Sequence, residues 1–246
     1  MGASELQKAL ARFLAPGAKL GEPYLLSREE SHHLREVLRL KEGAAVKLLD
    51  LQGREFLGRV EKLGREVLVR PEELLRAATP PDFEVSALIP LLKKENLAFL
   101  VEKATELGIT RIIPYSSSRT IVKPKKNLRE KLERRALQSL KQCGRLWPLE
   151  IFDPLSLEEA AQIEAELKVV AYEGEKKTPL KPLFENFSGK SLLLASGPEG
   201  GFSQEEIDLL KEKGFLRASL GPLILRAETA AFYLMCTAHL FFFAKS

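Results

Sequence analysis

The chain is predicted to fold as an α/β protein, with a parallel sheet covered by helices in its larger C-terminal part and a small β-domain before it. Between Arg12 and Leu75 the pattern is one of short strands joined by tight turns. A proline-rich break follows at residues 79–82. Beyond it, strand-like and helix-like segments alternate, an order typical of a parallel sheet with helices on its faces. We therefore expect one domain at 1–78 and a second at 82–246.

The first domain is expected to form a small β-barrel. Short apolar segments predict three strands, separated by turns at Gly53 and Gly64: Val46–Asp50, Glu55–Val60 and Val67–Arg70. One helix interrupts this pattern, because Ser27 and Glu30 have the spacing of a capping box. Residues 1–11 are predicted to form a short extension, helical or disordered.

In the second domain, strands and helices are predicted in turn. The strands are Val85–Ile89, Ile109–Pro114, Val169–Ala171 and Leu192–Ala195, and the helices are Glu95–Leu107, Leu128–Gln142 and one that begins near Ser203. Leu192–Ala195 is too short for a helix and apolar throughout, so we expect a strand buried on both faces. Ser203 with Glu206 gives a second capping box. Phe202 and Ile207 occupy the flanking positions of a hydrophobic staple.

Composition excludes few functions. With 246 residues and 45% hydrophobic content the chain can bury a sizeable core, and a net charge of +4 with a pI near 9.0 permits a nucleic-acid partner without requiring one. Cys143 and Cys236 are too few for a disulfide framework, and neither they nor the three histidines have metal-ligand spacing, so no metal site is expected. No signal peptide is recognised, and the cysteines indicate a reducing, cytoplasmic location.

An apolar segment at residues 229–244 stands out near the C-terminus. It is shorter than the ~20 residues needed to span a bilayer and contains His239, so no membrane partner is expected. A helix that is apolar on most faces needs cover on most faces. We therefore predict a buried or interface helix, and a homodimer contact is one way to supply the cover.

Two loops of unusual composition follow short apolar segments, at residues 196–202 and 220–226. A buried strand that ends in a Gly/Pro loop before a helix is where α/β folds place ligands, so the two loops predict one shared pocket. The alternative is that the glycines of each loop serve only turn geometry. Neither GxxxxGK[ST] nor GxGxxG is present, so a phosphate-binding loop is not predicted.

These two loops resemble the paired motifs of a known family. Gly197–Phe202, followed by Leu220-Gly221, Ile224–Arg226 and Glu228–Ala230, is similar to the RsmE family of ribosomal RNA small-subunit methyltransferases, within the SPOUT (α/β-knot) superfamily. Lys103–Gly108, Gln142-Cys143-Gly144-Arg145 and the segment from His33 to Arg39 resemble further family motifs. The resemblance covers roughly residues 12 to 240. Two departures are Leu223, where the family has a basic residue, and Lys131-Leu132, where it has Arg-Trp.

The resemblance implies a PUA-like RNA-binding domain, a trefoil-knotted SPOUT domain, a homodimer and S-adenosylmethionine as cofactor. The implied substrate is N3 of uracil-1498 in the 16S ribosomal RNA of the small subunit. The residues implied to hold the cofactor are Leu194, Ala195, Ser196, Gly197, Glu199, Gly200, Gly201, Leu220, Gly221, Ile224, Leu225, Arg226 and Thr229.

Arg226 and Glu228 are the predicted catalytic residues. A guanidinium beside the uracil would stabilise the negative charge that develops when N3 loses its proton. Glu228 would orient Arg226 or accept the proton; we favour orientation, because a neighbouring arginine keeps the carboxylate weakly basic. The alternative is that the two residues form an ion pair that closes the loop or the dimer interface.

RNA contact is predicted from basic residues in both domains. The basic ones are Arg12, His33, Arg35, Arg39, Arg119, Lys123 and Arg145, and the neutral Gln142 is predicted together with them. Such residues would contact phosphates, which position an RNA without selecting a base, although basic clusters are often only solvated faces. A non-catalytic rRNA-binding assembly factor is the alternative function. A nucleotide-phosphate enzyme is a third, and the missing P-loop lysine argues against it.

Overall fold

A computed structural model describes residues 10–124 and 126–243 of the chain, apart from the side chain of Lys94. Internal contacts divide these residues into two units. One unit runs to Pro80 and also includes Leu140–Pro148, and the other comprises Pro81–Ser139 and the chain from Leu149 onward. The predicted division at 1–78 and 82–246 did not foresee that Leu140–Pro148 belongs with the first unit. Most of the predicted extension at residues 1–11 lies outside the described residues.

The first unit is built on a five-stranded mixed sheet. Its elements are β1 (Arg12–Leu14), β2 (Tyr24–Leu25), α1 (Arg28–His32) with a π-helical turn (His33–Val37), β3 (Ala45–Leu49), β4 (Arg54–Lys62) and β5 (Leu68–Ala77). The strand order is β1-β3-β4-β5-β2. Only β1 and β3 pair in parallel, and the other pairs are antiparallel. Register shifts between β4 and β5 increase the local twist of the sheet around a core that includes Phe13, Leu48 and Phe56.

The first helix begins where the sequence predicts, but its cap differs from the prediction. The Ser27 side chain accepts a hydrogen bond from the Glu30 backbone N at 3.2 Å. The predicted return contact from Glu30 is wrong, because its carboxylate is used elsewhere. One oxygen accepts from the Leu14 backbone N at 3.2 Å, and the other pairs with Lys141 Nζ at 2.6 Å. Glu30 therefore joins the helix to β1 and to the Leu140–Pro148 segment of the same unit.

The second unit contains a seven-stranded sheet in which every pair is parallel. Its elements are β6 (Glu84–Pro90), α2 (Lys94–Glu106), β7 (Arg111–Ser116), α3 (Leu128–Cys143), β8 (Glu150–Ile151), β9 (Leu155–Ser156), α4 (Leu157–Ala160), β10 (Leu167–Ala171), α5 (Leu180–Glu185), β11 (Ser191–Ala195), α6 (Gln204–Glu212), β12 (Phe215–Ala218) and α7 (Ala227–Ala238), which continues as a π-helical turn (His239–Phe243). The order is β12-β10-β11-β6-β7-β8, with β9 also pairing with β7. The predicted parallel sheet is confirmed.

The central strand β11 is buried on both faces, as predicted. Leu192 and Leu194 pack into one core together with residues of α2 and α7, whereas Leu193 and Ala195 pack into a second core with residues of α4 and α6. Because successive side chains of a strand point to opposite faces, a strand between two helical layers must be apolar at every position. The uninterrupted leucine segment meets this requirement.

The apolar C-terminal segment forms α7, which packs against α2, β6 and β11. Ala231, Leu234 and Met235 are buried in the core, while Tyr233 and Leu240 keep 46% and 63% of their surface exposed. Within the described residues, no helix combines the length and apolar character required to cross a membrane.

A buried carboxylate organises the first unit. Glu55 on β4 is 1% exposed and accepts hydrogen bonds from Arg12 Nε at 2.7 Å and Arg76 Nε at 2.8 Å. Arg12 also donates to the Lys141 carbonyl at 3.1 Å, and Arg76 donates to the Gly144 carbonyl at 2.8 Å. Glu55 thus orients two guanidinium groups onto carbonyls at the end of α3, where cations are favoured.

Replacing Glu55 by Gln should destabilise the protein strongly. Burial alone would raise the pKa of Glu55, but hydrogen bonds from Arg76 and Arg12 outweigh it and lower that pKa. Removing the charge leaves the two arginines without their buried partner, so we expect Glu55→Gln to reduce the free energy of unfolding by about 3 kcal/mol in urea titrations. The contribution of Glu55 should be present above its unfolded pKa of about 4.3 and disappear as the pH falls through the lower folded value.

Glu72→Gln is the matched control on the same sheet. The Arg59–Glu72 ion pair has a similar Nε to Oε1 distance of 3.0 Å but is half exposed at the arginine. Its loss should cost less than about 1 kcal/mol. Equal effects of the two substitutions would contradict the role assigned to Glu55.

Candidate functional site

The parallel sheet carries a cavity of about 490 Å³ beyond the carboxyl ends of its strands. The residues that line it come from the loops after β6, β7, β10, β11 and β12 and from the first turns of α2 and α7. They are Lys93, Asn96, Ile121, Ala171, Tyr172, Glu173, Lys176, Gly197, Pro198, Glu199, Gly201, Phe202, Ser219, Leu220, Gly221, Leu223, Ile224, Leu225, Arg226, Ala227, Glu228 and Ala230. Because parallel strands present their carboxyl ends at one edge, loops distant in sequence meet there.

The loop after β11 forms one wall, and its glycines have distinct roles. Gly201 has a φ of +67°, a conformation that favours glycine, and its backbone N donates to the Pro198 carbonyl at 2.9 Å. The predicted helix then begins with a complete capping box between Ser203 and Glu206. Phe202, in the same core as Ile207, is 7% exposed. The predicted loop and cap are confirmed.

A buried tyrosine fixes the point where this loop leaves the sheet. Tyr115, the next-to-last residue of β7, is fully buried, and its hydroxyl donates to the Ser196 carbonyl at 2.6 Å. Burial, and then the nearby Glu206 carboxylate, hold the pKa of Tyr115 well above its usual value. The phenol therefore remains a donor. The Ser196 hydroxyl is itself buried without a hydrogen-bond partner among the described residues.

The loop after β12 forms another wall and is unusually apolar at its surface. Leu223 and Ile224 line the cavity yet expose 77% and 83% of their surface, and Gly221 turns the chain with a φ of +120°. Arg226 is the N-cap residue of α7 and is exposed. Among the described residues no ion pair involves Arg226, so the alternative pairing with Glu228 is absent from this structure.

Charges of both signs surround the cavity. The carboxylates are Glu173, Glu199 and Glu228, and the cations are Lys93, Lys176 and Arg226. Apolar side chains, among them Leu220 and Leu225, lie between them. Such a lining suits a ligand that combines an apolar ring system with both a positive and a negative group.

Most of the residues predicted to hold a cofactor line this cavity. They are Gly197, Glu199, Gly201, Leu220, Gly221, Ile224, Leu225 and Arg226. The side chains of Leu194 and Ala195 instead lie in the two cores, Ser196 is buried beneath the loop, and Gly200 and Thr229 are exposed outside the lining. Lining residues that lie outside both predicted loops include Lys93, Asn96, Ile121, Tyr172, Glu173 and Lys176. The sequence feature that could have identified them is their position, since each follows a predicted strand at the same sheet edge.

Several residues predicted to bind RNA have other partners in the first unit. Arg12 is held by Glu55, as described, and Arg35 Nη1 donates to the Gly64 carbonyl at 2.6 Å. His33 is half-buried, with its ring 6.0 Å from that of Phe13. Arg39, by contrast, is exposed.

The Gln142–Arg145 motif lies in the segment that joins the first unit. Gln142 is exposed, and its backbone carbonyl accepts from Arg12. Arg145 Nε donates to the Trp147 carbonyl at 2.5 Å, and burial lowers the pKa of Arg145 to about 10. Arg145 thus stays cationic at neutral pH but is only partly open to solvent.

The two predicted RNA contacts of the second unit differ from each other. Arg119 Nη1 donates to the Gly200 carbonyl at 2.9 Å and to the Phe202 carbonyl at 3.3 Å, so it braces the glycine loop. Lys123 is exposed, and no ion pair with another described residue involves it. In the described part of the chain, no group of three or more His, Cys, Asp or Glu side chains is arranged to hold a metal ion.

Comparisons with known proteins agree with this geometry. Family models for an RNA methyltransferase domain and for an RNA methyltransferase PUA domain match residues 79–239 and 26–72. The ribosomal RNA small subunit methyltransferase E of Rickettsia conorii is 30% identical over 214 residues, which cover 84% of this chain and 85% of that protein.

Solved structures share the fold over nearly the whole length. A methyltransferase from Legionella pneumophila, in complex with the bound cofactor SAM, has a TM-score of 0.83 at 29% identity and covers 92% of this chain and 95% of that one. The ribosomal RNA small subunit methyltransferase E of Neisseria gonorrhoeae, bound to S-adenosyl methionine, has a TM-score of 0.79 at 22% identity over 93% and 96% of the two chains, a likeness of fold alone.

Two neighbouring glycines of the β11 loop should respond differently to alanine. Gly201→Ala places a side chain at a φ of +67° and 3.2 Å from Glu173 Oε1, so the free energy of unfolding should fall by about 1 kcal/mol. Gly200 has no left-handed φ, and an added Cβ would meet Arg119 Cβ at an ordinary 3.4 Å. Gly200→Ala should therefore change stability by less than about 0.5 kcal/mol. Equal losses in thermal or urea unfolding would contradict this loop conformation.

Proposed function

The chain belongs to the ribosomal RNA small subunit methyltransferase E family, and on that premise we propose that it transfers a methyl group from S-adenosylmethionine to N3 of uracil-1498 in 16S ribosomal RNA. The observation that carries the proposal is the cavity at the carboxyl ends of the sheet, which both motif loops wall. We propose further that the protein acts as a homodimer in the cytoplasm. The exposed Tyr233 and Leu240 near the C-terminus are surfaces that a second copy would cover.

The lining residues fit S-adenosylmethionine. A cavity of about 490 Å³ is of the size that holds small organic ligands. Leu220, Ile224 and Leu225 offer apolar surface to an adenine ring. The ligand carries an ammonium, a carboxylate and a sulfonium, and the lining contains carboxylates and cations to match.

The cofactor supplies an electrophilic methyl group, so the protein needs neither a metal nor a covalent nucleophile for the transfer. What the chain must do is hold the two reactants in line and help N3 lose its proton. The N3 atom lies on the Watson–Crick edge of uracil, so the base must be unpaired or turned out of a helix to reach the cavity. Bound by the two motif loops, S-adenosylmethionine would supply its methyl group to the deprotonated N3, and the N3 proton would pass to solvent.

Arg226 is the residue we assign to charge stabilisation. When N3 loses its proton, negative charge spreads onto O2 and O4 of the ring, and a fixed guanidinium stabilises that charge. Arg226 lines the cavity, lies at the N-terminus of α7 and has no described ion pair. The helix dipole adds positive potential at the same place. Glu228 also lines the cavity but forms no ion pair with Arg226 in this structure, so an orienting contact would have to form when the ligands bind.

The RNA is held outside the cavity by phosphate contacts. Among the residues predicted for this role, Arg39 and Lys123 are exposed, so we assign them to the RNA backbone. Arg12 and Arg119 are better explained as structural, because carboxylate or carbonyl groups already occupy them.

Arg226→Lys tests the assignment of the site. The substitution keeps the charge but loses the planar guanidinium, so methyl transfer to small-subunit RNA should slow about 100-fold while S-adenosylmethionine affinity stays within about threefold in calorimetry. Arg111→Lys is the matched control, because Arg111 lies at the amino-terminal edge of β7 and pairs with Glu84 and Glu150. It should leave both quantities unchanged.

Different results would point elsewhere. Loss of cofactor binding or of dimerisation with residual chemistry intact would show that Arg226 has a structural role. If the wild-type protein bound ribosomal RNA but neither bound S-adenosylmethionine nor transferred a methyl group, the alternative of an assembly factor would be correct. Tight ATP binding in the same titration would favour a nucleotide-phosphate enzyme.

A further inference from the structure

We infer that Glu206 is a positioning residue for the cofactor, because its carboxylate ties together two loops that wall the cavity. The inference rests on the proposed function for its ligand, S-adenosylmethionine, and on the described contacts for its geometry. The two loops are residues 117–122, after β7, and residues 196–203, after β11.

Each oxygen of this carboxylate serves a different loop. Oε1 accepts from the Ser118 backbone N and from Ser118 Oγ, both at 2.8 Å. Oε2 accepts from the Ser203 backbone N at 2.8 Å. Glu206 is 7% exposed, so these hydrogen bonds are largely shielded from water.

Both anchored residues stand next to cavity-lining residues. Ser203 directly follows Phe202, and Ser118 precedes Ile121 by three residues; both Phe202 and Ile121 line the cavity. A second hydrogen bond links the same two loops, since Arg119 Nη1 donates to the Gly200 carbonyl at 2.9 Å. The distance between the loops after β7 and β11 is therefore set by a buried carboxylate at one point and a guanidinium at another.

A helix cap alone does not need this arrangement. The capping box of α4 has nearly the same geometry, with the Ser156 backbone N donating to Glu159 Oε2 at 2.9 Å and the Glu159 backbone N donating to Ser156 Oγ at 3.2 Å. The Glu159 carboxylate is exposed, and none of the described hydrogen bonds joins it to a second loop. One oxygen is enough for a cap, so the use of the other oxygen of Glu206 calls for another explanation.

Glu206 is suited to this task because it stays ionised. Burial by itself would raise the pKa of Glu206, but hydrogen bonds from Ser203 and Ser118 outweigh it and hold that pKa below its usual value. A charged acceptor makes stronger hydrogen bonds than a neutral one. The carboxylate thus holds three donors at neutral pH.

Glu206→Gln separates positioning from capping. A glutamine has one acceptor oxygen, so it can accept from the backbone N of Ser203 or from that of Ser118, but not from both. We expect S-adenosylmethionine to bind about tenfold more weakly in calorimetry, and amide hydrogen exchange to accelerate in one of the two loops. Glu159→Gln is the matched control, because the single oxygen of glutamine satisfies its only acceptor role. It should change neither quantity.

A second variant keeps the test informative if Glu206→Gln does not fold properly. Ser118→Ala leaves the α6 cap intact and removes only one bond of the tie, so affinity should fall about threefold with little change in melting temperature. If both Glu206→Gln and Ser118→Ala bound the cofactor as tightly as the wild type, with unchanged exchange in both loops, the inference would be wrong. If the wild type itself failed to bind S-adenosylmethionine, the proposed function would be wrong. In that case, the amide hydrogen exchange of the two loops would still show whether Glu206 links them.

Discussion

The parallel hydrogen bonding of β12, β10, β11, β6 and β7 is the constraint on which the site depends. It brings five loops from between residues 91 and 226 to one edge, and no loop forms the cavity without the others. The apolar β11 is central to this because it is shared by two cores. Hydrogen bonds then fix the glycine loop relative to the sheet. The Tyr115 hydroxyl donates to the Ser196 carbonyl, and the Ser203 backbone N donates to Glu206.

Much of this arrangement could be predicted from local sequence. The strand at Leu192–Ala195 and the cap at Ser203 follow from apolar length and side-chain chemistry, which act over a few residues. The cavity between the loops was also predictable, since parallel strands have a common carboxyl edge. The knot that the family resemblance implies stays a prediction.

The remaining features depend on partners far apart in sequence. Arg12 and Arg119 have the charge expected of RNA contacts, but Glu55 and the Gly200 carbonyl occupy them, and neither partner is visible in a local pattern. Glu30 has cap spacing, but a lysine 111 residues away takes its carboxylate. Lys176 and Glu173 line the cavity from a loop with no motif. Tertiary contacts thus decide which polar residues are free to act.

The central claim is that this cavity serves transfer of a methyl group to N3 of one uridine. The most direct measurement is nucleoside mass spectrometry of ribosomal RNA after the wild-type protein has reacted with unmodified small subunits and isotope-labelled S-adenosylmethionine. We predict label in 3-methyluridine alone, at a single site that maps to position 1498. Label in another nucleoside, or none from a protein that binds the cofactor, would contradict the account.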